Sequence, residues 1–348
     1  MSIYTRLVRP LLFRLPPERA QRLAETFLVA GPVWRAVSAL DDPRLHAEVA
    51  GIRLPNPIGL AAGYDKDCAM LGRLASLGFG YMVGGTVTAQ PRPGNPRPRI
   101  VRNPGGGSLV NSLGFPSRGV EEAARRLSRR APNVPLLLSI SGLTLGEFSL
   151  CYRKLSPLCG GVELNVSSPN TEGIRVFQEP GRLGELLSAL SAEKTGPLFL
   201  KLPPYFDDDQ RDGVMRLVDV CLDGGVEGVT VSNTHPVPDE RLAVGRGGMS
   251  GRPLLPHTLR MVSEVRRQAG DGLAINGCGG ISSGEDALSV LRAGADTLQL
   301  FTGFVYEGPG LMKRIKRYLL DRMEEEGASS LAELTRAAGA SPPHHAGA

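Results

Sequence analysis

The sequence predicts an α/β fold, a (β/α)8 TIM barrel with an N-terminal helical extension, and three observations lead there. First, eight short apolar runs follow one another: 57–61, 81–87, 135–141, 161–168, 197–202, 228–234, 273–277 and 297–302. They are near-continuously hydrophobic and do not alternate, as strands buried on both faces of a parallel sheet do. Second, helical periodicity fills the gaps between them. In 207–223 the apolar residues are Val214, Leu217, Val218, Val220 and Cys221, and in 285–293 they are Ala287, Leu288, Val290 and Leu291. Strand alternating with helix builds βαβ units. Third, a glycine turn, Gly277–Ile281, closes the seventh run, whereas no GxGxxG follows the first. That favours a closed barrel over an open dinucleotide-binding sheet.

Length agrees, because 348 residues suit one barrel of about 250 residues plus extensions. A hydrophobic content of 41% and a charged content of 22% provide for a large core. Aromatics at 5% argue against modules that stack nucleic-acid bases. The net charge is +5, and +4 of it falls in residues 1–40, from six arginines against Glu18 and Glu25. A nucleic-acid groove needs basic residues across the fold, so no nucleic-acid partner is expected. The five cysteines form no CxxC pair and read as reduced thiols of a cytosolic protein. No run reaches the roughly 18 apolar residues of a membrane span, and Arg9, Arg14 and Glu18 interrupt any signal-peptide core.

Residues 1–45 form the extension, 46–325 the barrel, and 326–348 a C-terminal helix with a tail expected to lack structure; His344-His345 in that tail is too short for a metal site. Within the extension Leu7, Leu11, Leu12, Leu15, Leu23, Phe27 and Leu28 are spaced for one apolar face, and Pro16-Pro17 divides it into two helices. A basic amphipathic unit of this kind either packs on the barrel or lies in a membrane interface. Two long insertions, 90–114 and 233–256, follow the second and sixth strands. Both fall after strand C-termini, the catalytic face of such barrels, where long insertions serve as lids or binding loops.

The chemistry-bearing residues cluster at those strand ends. The first strand runs into Ala61-Ala62-Gly63-Tyr64-Asp65-Lys66-Asp67, whose small residues let a flat ring lie on the backbone. The second ends at Thr86, the fourth in Asn165-Val166-Ser167-Ser168-Pro169-Asn170, the fifth carries Lys201, and the sixth ends in Ser232-Asn233-Thr234. With Asn111 in the first insertion, four asparagines and two lysines face one mouth. Asparagine both donates and accepts, which suits an uncharged ring rich in amide groups. Lysine suits a carboxylate or a developing ring anion. No paired carboxylates, Ser-His-Asp set or metal cluster occurs at these positions. The turns Gly277–Ile281 and Phe301-Thr302-Gly303, after strands seven and eight, lie where barrels hold a phosphate.

These motifs, with Pro93-Gly94-Asn95, Gly114-Phe115 and Gly247–Pro253, resemble those of the dihydroorotate dehydrogenase family over about residues 50–325. Ser168 stands where the soluble class has cysteine, and with the basic extension it resembles the membrane-associated, quinone-dependent class. The resemblance implies FMN as cofactor, dihydroorotate as electron donor, orotate as product, a membrane quinone as acceptor, and a role in pyrimidine (UMP) biosynthesis. It implies peripheral placement on the cytoplasmic face of the cell membrane. Lys66, Asn111, Ser112, Leu113, Gly114, Phe115, Asn165, Asn170, Asn233 and Thr234 would hold the substrate. Ala62, Gly63, Thr86, Ser139, Asn165, Lys201, Ser232, Gly251, Gly280, Phe301 and Thr302 would hold FMN. Ser168 would take the C5 proton of dihydroorotate, and because free serine is a poor base, a water or threonine must carry that proton onward.

Three segments depart from the family pattern. Ser139 replaces an asparagine, Ser112 an arginine (with Pro116 for an asparagine in the same loop), and Phe301 a tyrosine. Loss of one hydrogen bond costs about 0.5–1.5 kcal/mol, so these changes would weaken FMN binding sooner than abolish activity. They leave room for a flavin barrel acting on another cyclic amide or enone. A non-catalytic barrel that binds phosphate at a membrane surface is the remaining alternative.

Overall fold

The computed structural model describes residues 2–28, 31–171 and 173–336. Eight parallel strands close into a barrel: β1 (Ile58–Leu60), β2 (Tyr81–Thr88), β3 (Leu136–Ser141), β4 (Gly161–Leu164), β5 (Leu198–Lys201), β6 (Gly228–Val231), β7 (Ala274–Cys278) and β8 (Thr297–Leu300). All eight coincide with the apolar runs in the sequence. The fourth is shorter than expected, because it ends at Leu164 and leaves 165–170 as a loop above the barrel rim.

The strands are apolar on both faces because both are covered. Outward residues such as Leu60, Met82, Leu138 and Leu164 pack under the helices, in one core cluster with Leu186, Val218, Val262 and Leu288. A second cluster, Tyr81, Val83, Leu137 and Phe199, fills the barrel floor. Val49 and Leu54, from the hairpin Ala47–Val49 and Ile52–Leu54, belong to that floor cluster. Above it the interior turns polar: Thr230 Oγ1 donates to Glu163 Oε2 at 2.7 Å, and Tyr81 Oη lies 2.9 Å from Thr297 Oγ1.

The two insertions build one structure in common. Ile100–Asn103 and Ser108–Asn111 from the first, with His235–Pro238 and Arg246–Gly251 from the second, form a four-stranded antiparallel sheet. Its centre is the pairing of Arg246–Gly251 with Ser108–Asn111, in which Gly248 faces Asn111. Two segments expected as separate loops are thus a single lid over the mouth. Long sequence separation hid the pairing, since neither half reads as a sheet alone.

In the extension a helix begins at Pro17, where proline at the first helical position gives up no hydrogen bond. Before it Tyr4–Val8 and Arg9–Phe13 form one continuous helical stretch, and a third helix, Gly31–Ser38, was not expected. The apolar face divides. Leu28 is buried and Leu12 half-buried, whereas Leu7, Leu11, Leu15, Leu23 and Phe27 are exposed. At the other end Leu331–Arg336 forms the last described helix; residues 337–348, including His344-His345, lie outside the described residues. Among the described residues no helix is long and apolar enough to cross a membrane.

Candidate active site

One cavity of about 1190 Å3, counted with its open mouth, lies between the barrel's C-terminal rim and the lid. Of the residues expected to hold ligand, all but two line it: Ala62, Gly63, Lys66, Thr86, Asn111, Leu113, Gly114, Phe115, Asn165, Ser168, Asn170, Lys201, Ser232, Asn233, Thr234, Gly251, Gly280, Phe301 and Thr302.

Ser112 and Ser139 are the exceptions. Successive side chains of an extended chain point to opposite faces, so with Asn111 at the cavity Ser112 turns away from it. Ser112 Oγ is buried without a hydrogen-bond partner. The Ser139 hydroxyl sits 3.0 Å from Thr86 Oγ1, which also receives the Asn165 side-chain amide at 3.0 Å. Ser139 therefore orients Thr86 from behind instead of facing the cavity.

The asparagines hold one another in place. Asn233 Nδ2 donates to Asn165 Oδ1 at 3.3 Å and to Ser167 Oγ at 3.0 Å, while Asn233 Oδ1 accepts the Thr234 backbone N–H at 2.8 Å. Asn170 Nδ2 donates to Asn111 O at 2.9 Å, and Asn111 Nδ2 to Gly248 O at 3.2 Å. A Cβ on Gly248 would come within 2.7 Å of Thr234 Cβ, so glycine is what lets the lid strand close on this residue.

Lys66 Nζ donates to Gly63 O at 2.5 Å. Loss of solvent, then the nearby Arg99 guanidinium, lowers its pKa against the opposing pull of Asp65, Glu18 and Asp67. An incoming anion would relieve both penalties. Lys201 is buried at the end of β5. Burial works against its charge, yet Cys278 and Glu163 beside it raise its pKa on balance. Burial also raises the pKa of the Cys278 thiol, which leaves Glu163 as the acidic neighbour that favours the Lys201 charge.

Ser168 is buried at the cavity wall, with Oγ accepting the Asn170 backbone N–H at 3.3 Å and lying 3.4 Å from Thr171 Oγ1. Thr171 lines a second, smaller cavity together with Thr88, Gln90, Arg92, Ser141 and Glu147, and Phe115 lines both.

Ser250, Cys278 and Gln299 also line the main cavity; the first two fall within motifs noted in the sequence, Gly247–Pro253 and Gly277–Ile281, whereas Gln299 was not singled out there. Ser250 Oγ is 2.8 Å from Thr302 Oγ1. Gln299, on β8, could have been found by strand alternation, since it stands two residues before Phe301 just past the strand end. Its Oε1 is buried without a partner, so a donor from a bound molecule is wanted there. Glycines permit close backbone approach: a Cβ on Gly251 would meet Thr302 Cγ2 at 2.7 Å, and one on Gly280 would meet Leu255 Cβ at 2.7 Å. A cradle of glycines, a buried lysine and an unsatisfied amide fit a flavin mononucleotide. Among the described residues no group of His, Cys, Asp or Glu could hold a metal ion.

Fold and site define a closed α/β barrel of the oxidoreductase type, with an amide-rich ring site under a lid. The chain belongs to the dihydroorotate dehydrogenase family, whose model matches residues 44–323. It is 38% identical over 347 residues to the dihydroorotate dehydrogenase (quinone) of Chloroflexus aurantiacus, covering 90% of this chain and 95% of that one. The protein of the same name from Thermus thermophilus is 39% identical over 343 residues, covering 94% and 99%. A solved structure of ligand-free DHODH from Eimeria tenella superposes with a TM-score of 0.80 at 27% identity, covering 92% of this chain and 99% of that one.

Proposed function

We propose that this chain oxidises dihydroorotate to orotate with bound FMN, passes the electrons to a membrane quinone, and so serves pyrimidine biosynthesis. The observation that carries the reading is the convergence of Ser168, Lys66 and the four linked asparagines on one lidded cavity.

Lys66 binds the substrate carboxylate. Asn111, Asn165, Asn170 and Asn233 offer donors and acceptors to the ring amides, and their mutual hydrogen bonds fix them beforehand. Ser168 takes the C5 proton. Thr171 receives it from Ser168 and releases it toward the second cavity, on the far side of the wall. Lys201, Thr86, Asn165, Ser232 and Gln299 would hold the flavin ring, while Gly251, Gly280 and Thr302 would hold the phosphate end. When bound, FMN supplies the two-electron acceptor that couples dihydroorotate to quinone. The lid sheet excludes water while the substrate is held.

The extension is the membrane-facing element, placing the protein peripherally on the cytoplasmic face. Its support is the exposed set Leu7, Leu11, Leu23 and Phe27, interleaved with exposed Arg6, Arg14, Arg19 and Arg22. An anaerobic absorbance titration tests the whole reading. Purified protein should be yellow and should bleach on addition of dihydroorotate; a protein that is colourless and cannot be reconstituted with FMN sinks it.

A further inference from the structure

Helix Pro17–Phe27 belongs to the extension, yet its polar side chains reach two loops of the substrate site. Glu18 Oε1 accepts from Arg99 Nη2 at 2.8 Å and Nε at 3.2 Å, and Oε2 accepts from Arg97 Nε at 2.6 Å. Arg99 is only 8% exposed. Its remaining terminal nitrogen, Nη1, donates to Pro93 O at 2.9 Å and to Asn95 O at 3.3 Å. Asn95 then reaches the cavity wall: its backbone N–H donates to Leu113 O at 2.9 Å, and its side-chain amide to Asn170 O at 3.3 Å. Both Leu113 and Asn170 line the main cavity. One turn along the same helix, Gln21 Nε2 donates to Tyr64 O at 3.2 Å, in the loop between Gly63 and Lys66.

Arginine's planar fork explains why a single residue can join these pieces. It binds the extension with one edge and two loop carbonyls with the other. A guanidinium this deeply buried needs a counter-charge, and among the described residues Glu18 supplies Arg99's ion pair. Without it Arg99 would draw toward water and loosen its hold on Pro93 and Asn95.

Resting on the dihydroorotate reading above, we propose that Glu18 is a positioning residue for the substrate. Through Arg99 it presses the Pro93–Asn95 loop against Leu113 and Asn170, so the seating of the extension sets substrate affinity. Charge alone predicts the opposite sign: an uncompensated Arg99, already felt by Lys66, attracts an anionic substrate more strongly. Weaker binding after loss of Glu18 therefore isolates the geometric role.

The test titrates orotate into the FMN-loaded full chain and follows the flavin absorbance. In Glu18→Ala the orotate Kd should rise about tenfold, and the dihydroorotate KM should rise with it. FMN content and the rate of flavin reduction at saturating dihydroorotate should stay within about twofold of the unsubstituted chain. Glu18→Gln, which can still accept from Arg99 but carries no counter-charge, should recover part of the affinity. An unchanged orotate Kd in Glu18→Ala overturns the proposal, as does a loss of FMN and saturated rate together with affinity in both variants. Should Glu18→Ala fail to fold, Arg99→Lys is read instead: it keeps the charge but cannot span Glu18, Pro93 and Asn95, and an unchanged Kd overturns the proposal equally. If the unsubstituted chain shows no orotate response, the failure lies with the substrate reading and not with Glu18.

Discussion

Ser168 Oγ and Thr171 Oγ1 stand 3.4 Å apart, with Ser168 facing the main cavity and Thr171 the smaller one behind it. The pair spans the wall between the main cavity and a smaller one whose lining includes Thr88, Gln90, Arg92, Ser141 and Glu147. A serine can act as base only if its proton moves on, and this is the one hydroxyl partner that Ser168 has among the described residues.

Replacing Ser168 by alanine should therefore slow flavin reduction by dihydroorotate by about 10²–10⁴-fold while FMN stays bound. Thr171→Val keeps the shape and removes the hydroxyl, and should slow the same step about 10–100-fold. Stopped-flow reduction under anaerobic conditions reads both. A Thr171→Val rate equal to that of the unsubstituted chain would show that the proton leaves by another route.

Gly248→Ala should disturb the substrate end alone. Its new methyl would press on Thr234, whose backbone N–H is held by Asn233. Orotate affinity should fall at least about tenfold, roughly 1.4 kcal/mol, with normal FMN content. The titration described for Glu18 serves here too, and intact orotate binding would mean the lid strand can shift without loss.

Acid should weaken the lid's attachment. His235 opens the lid strand His235–Pro238 and is buried against Phe206 and His257, with ring centroids 4.6 and 4.7 Å away. Burial, then the His257 charge, lowers its pKa from 6.5 to about 4. The folded value is depressed, so the unfolded chain binds the extra proton between these limits. The contribution to stability is whole above pH 6.5 and is lost as pH falls to about 4, amounting to at most about 3 kcal/mol. Melting temperature measured across that window should drop, and should drop less in His235→Gln. Parallel profiles for the two proteins would rule out His235 as the source.

Membrane contact should depend on side chains that do nothing for the barrel. Leu11 and Phe27 are each 62% exposed. Fully burying one large apolar side chain is worth about 1.5–3 kcal/mol, so Leu11→Glu or Phe27→Glu should cut vesicle binding about tenfold or more. Flavin reduction by dihydroorotate should be unaffected. Cosedimentation with phosphatidylglycerol vesicles decides it, and undiminished binding of the double variant would place the contact elsewhere.

The sequence by itself determined the barrel, because burial on both faces demands unbroken apolar runs and all eight of them became strands. It also determined the chemistry of the mouth. Residues at strand C-termini must share one face of a barrel whatever the details of packing, so Lys66, Asn165, Lys201 and Asn233 could be placed together from their positions alone. Contacts between distant segments were decided only by the tertiary structure. The lid pairs residues near 110 with residues near 250, and no local periodicity encodes that partnership. Side-chain direction was likewise out of reach: Ser112 follows a cavity residue yet turns away, and Ser139 spends its hydroxyl on Thr86. Ser168 belongs to both accounts. Its motif was plain in the chain, but its partner Thr171 and the cavity beyond emerged only when the loop after β4 was folded back on itself.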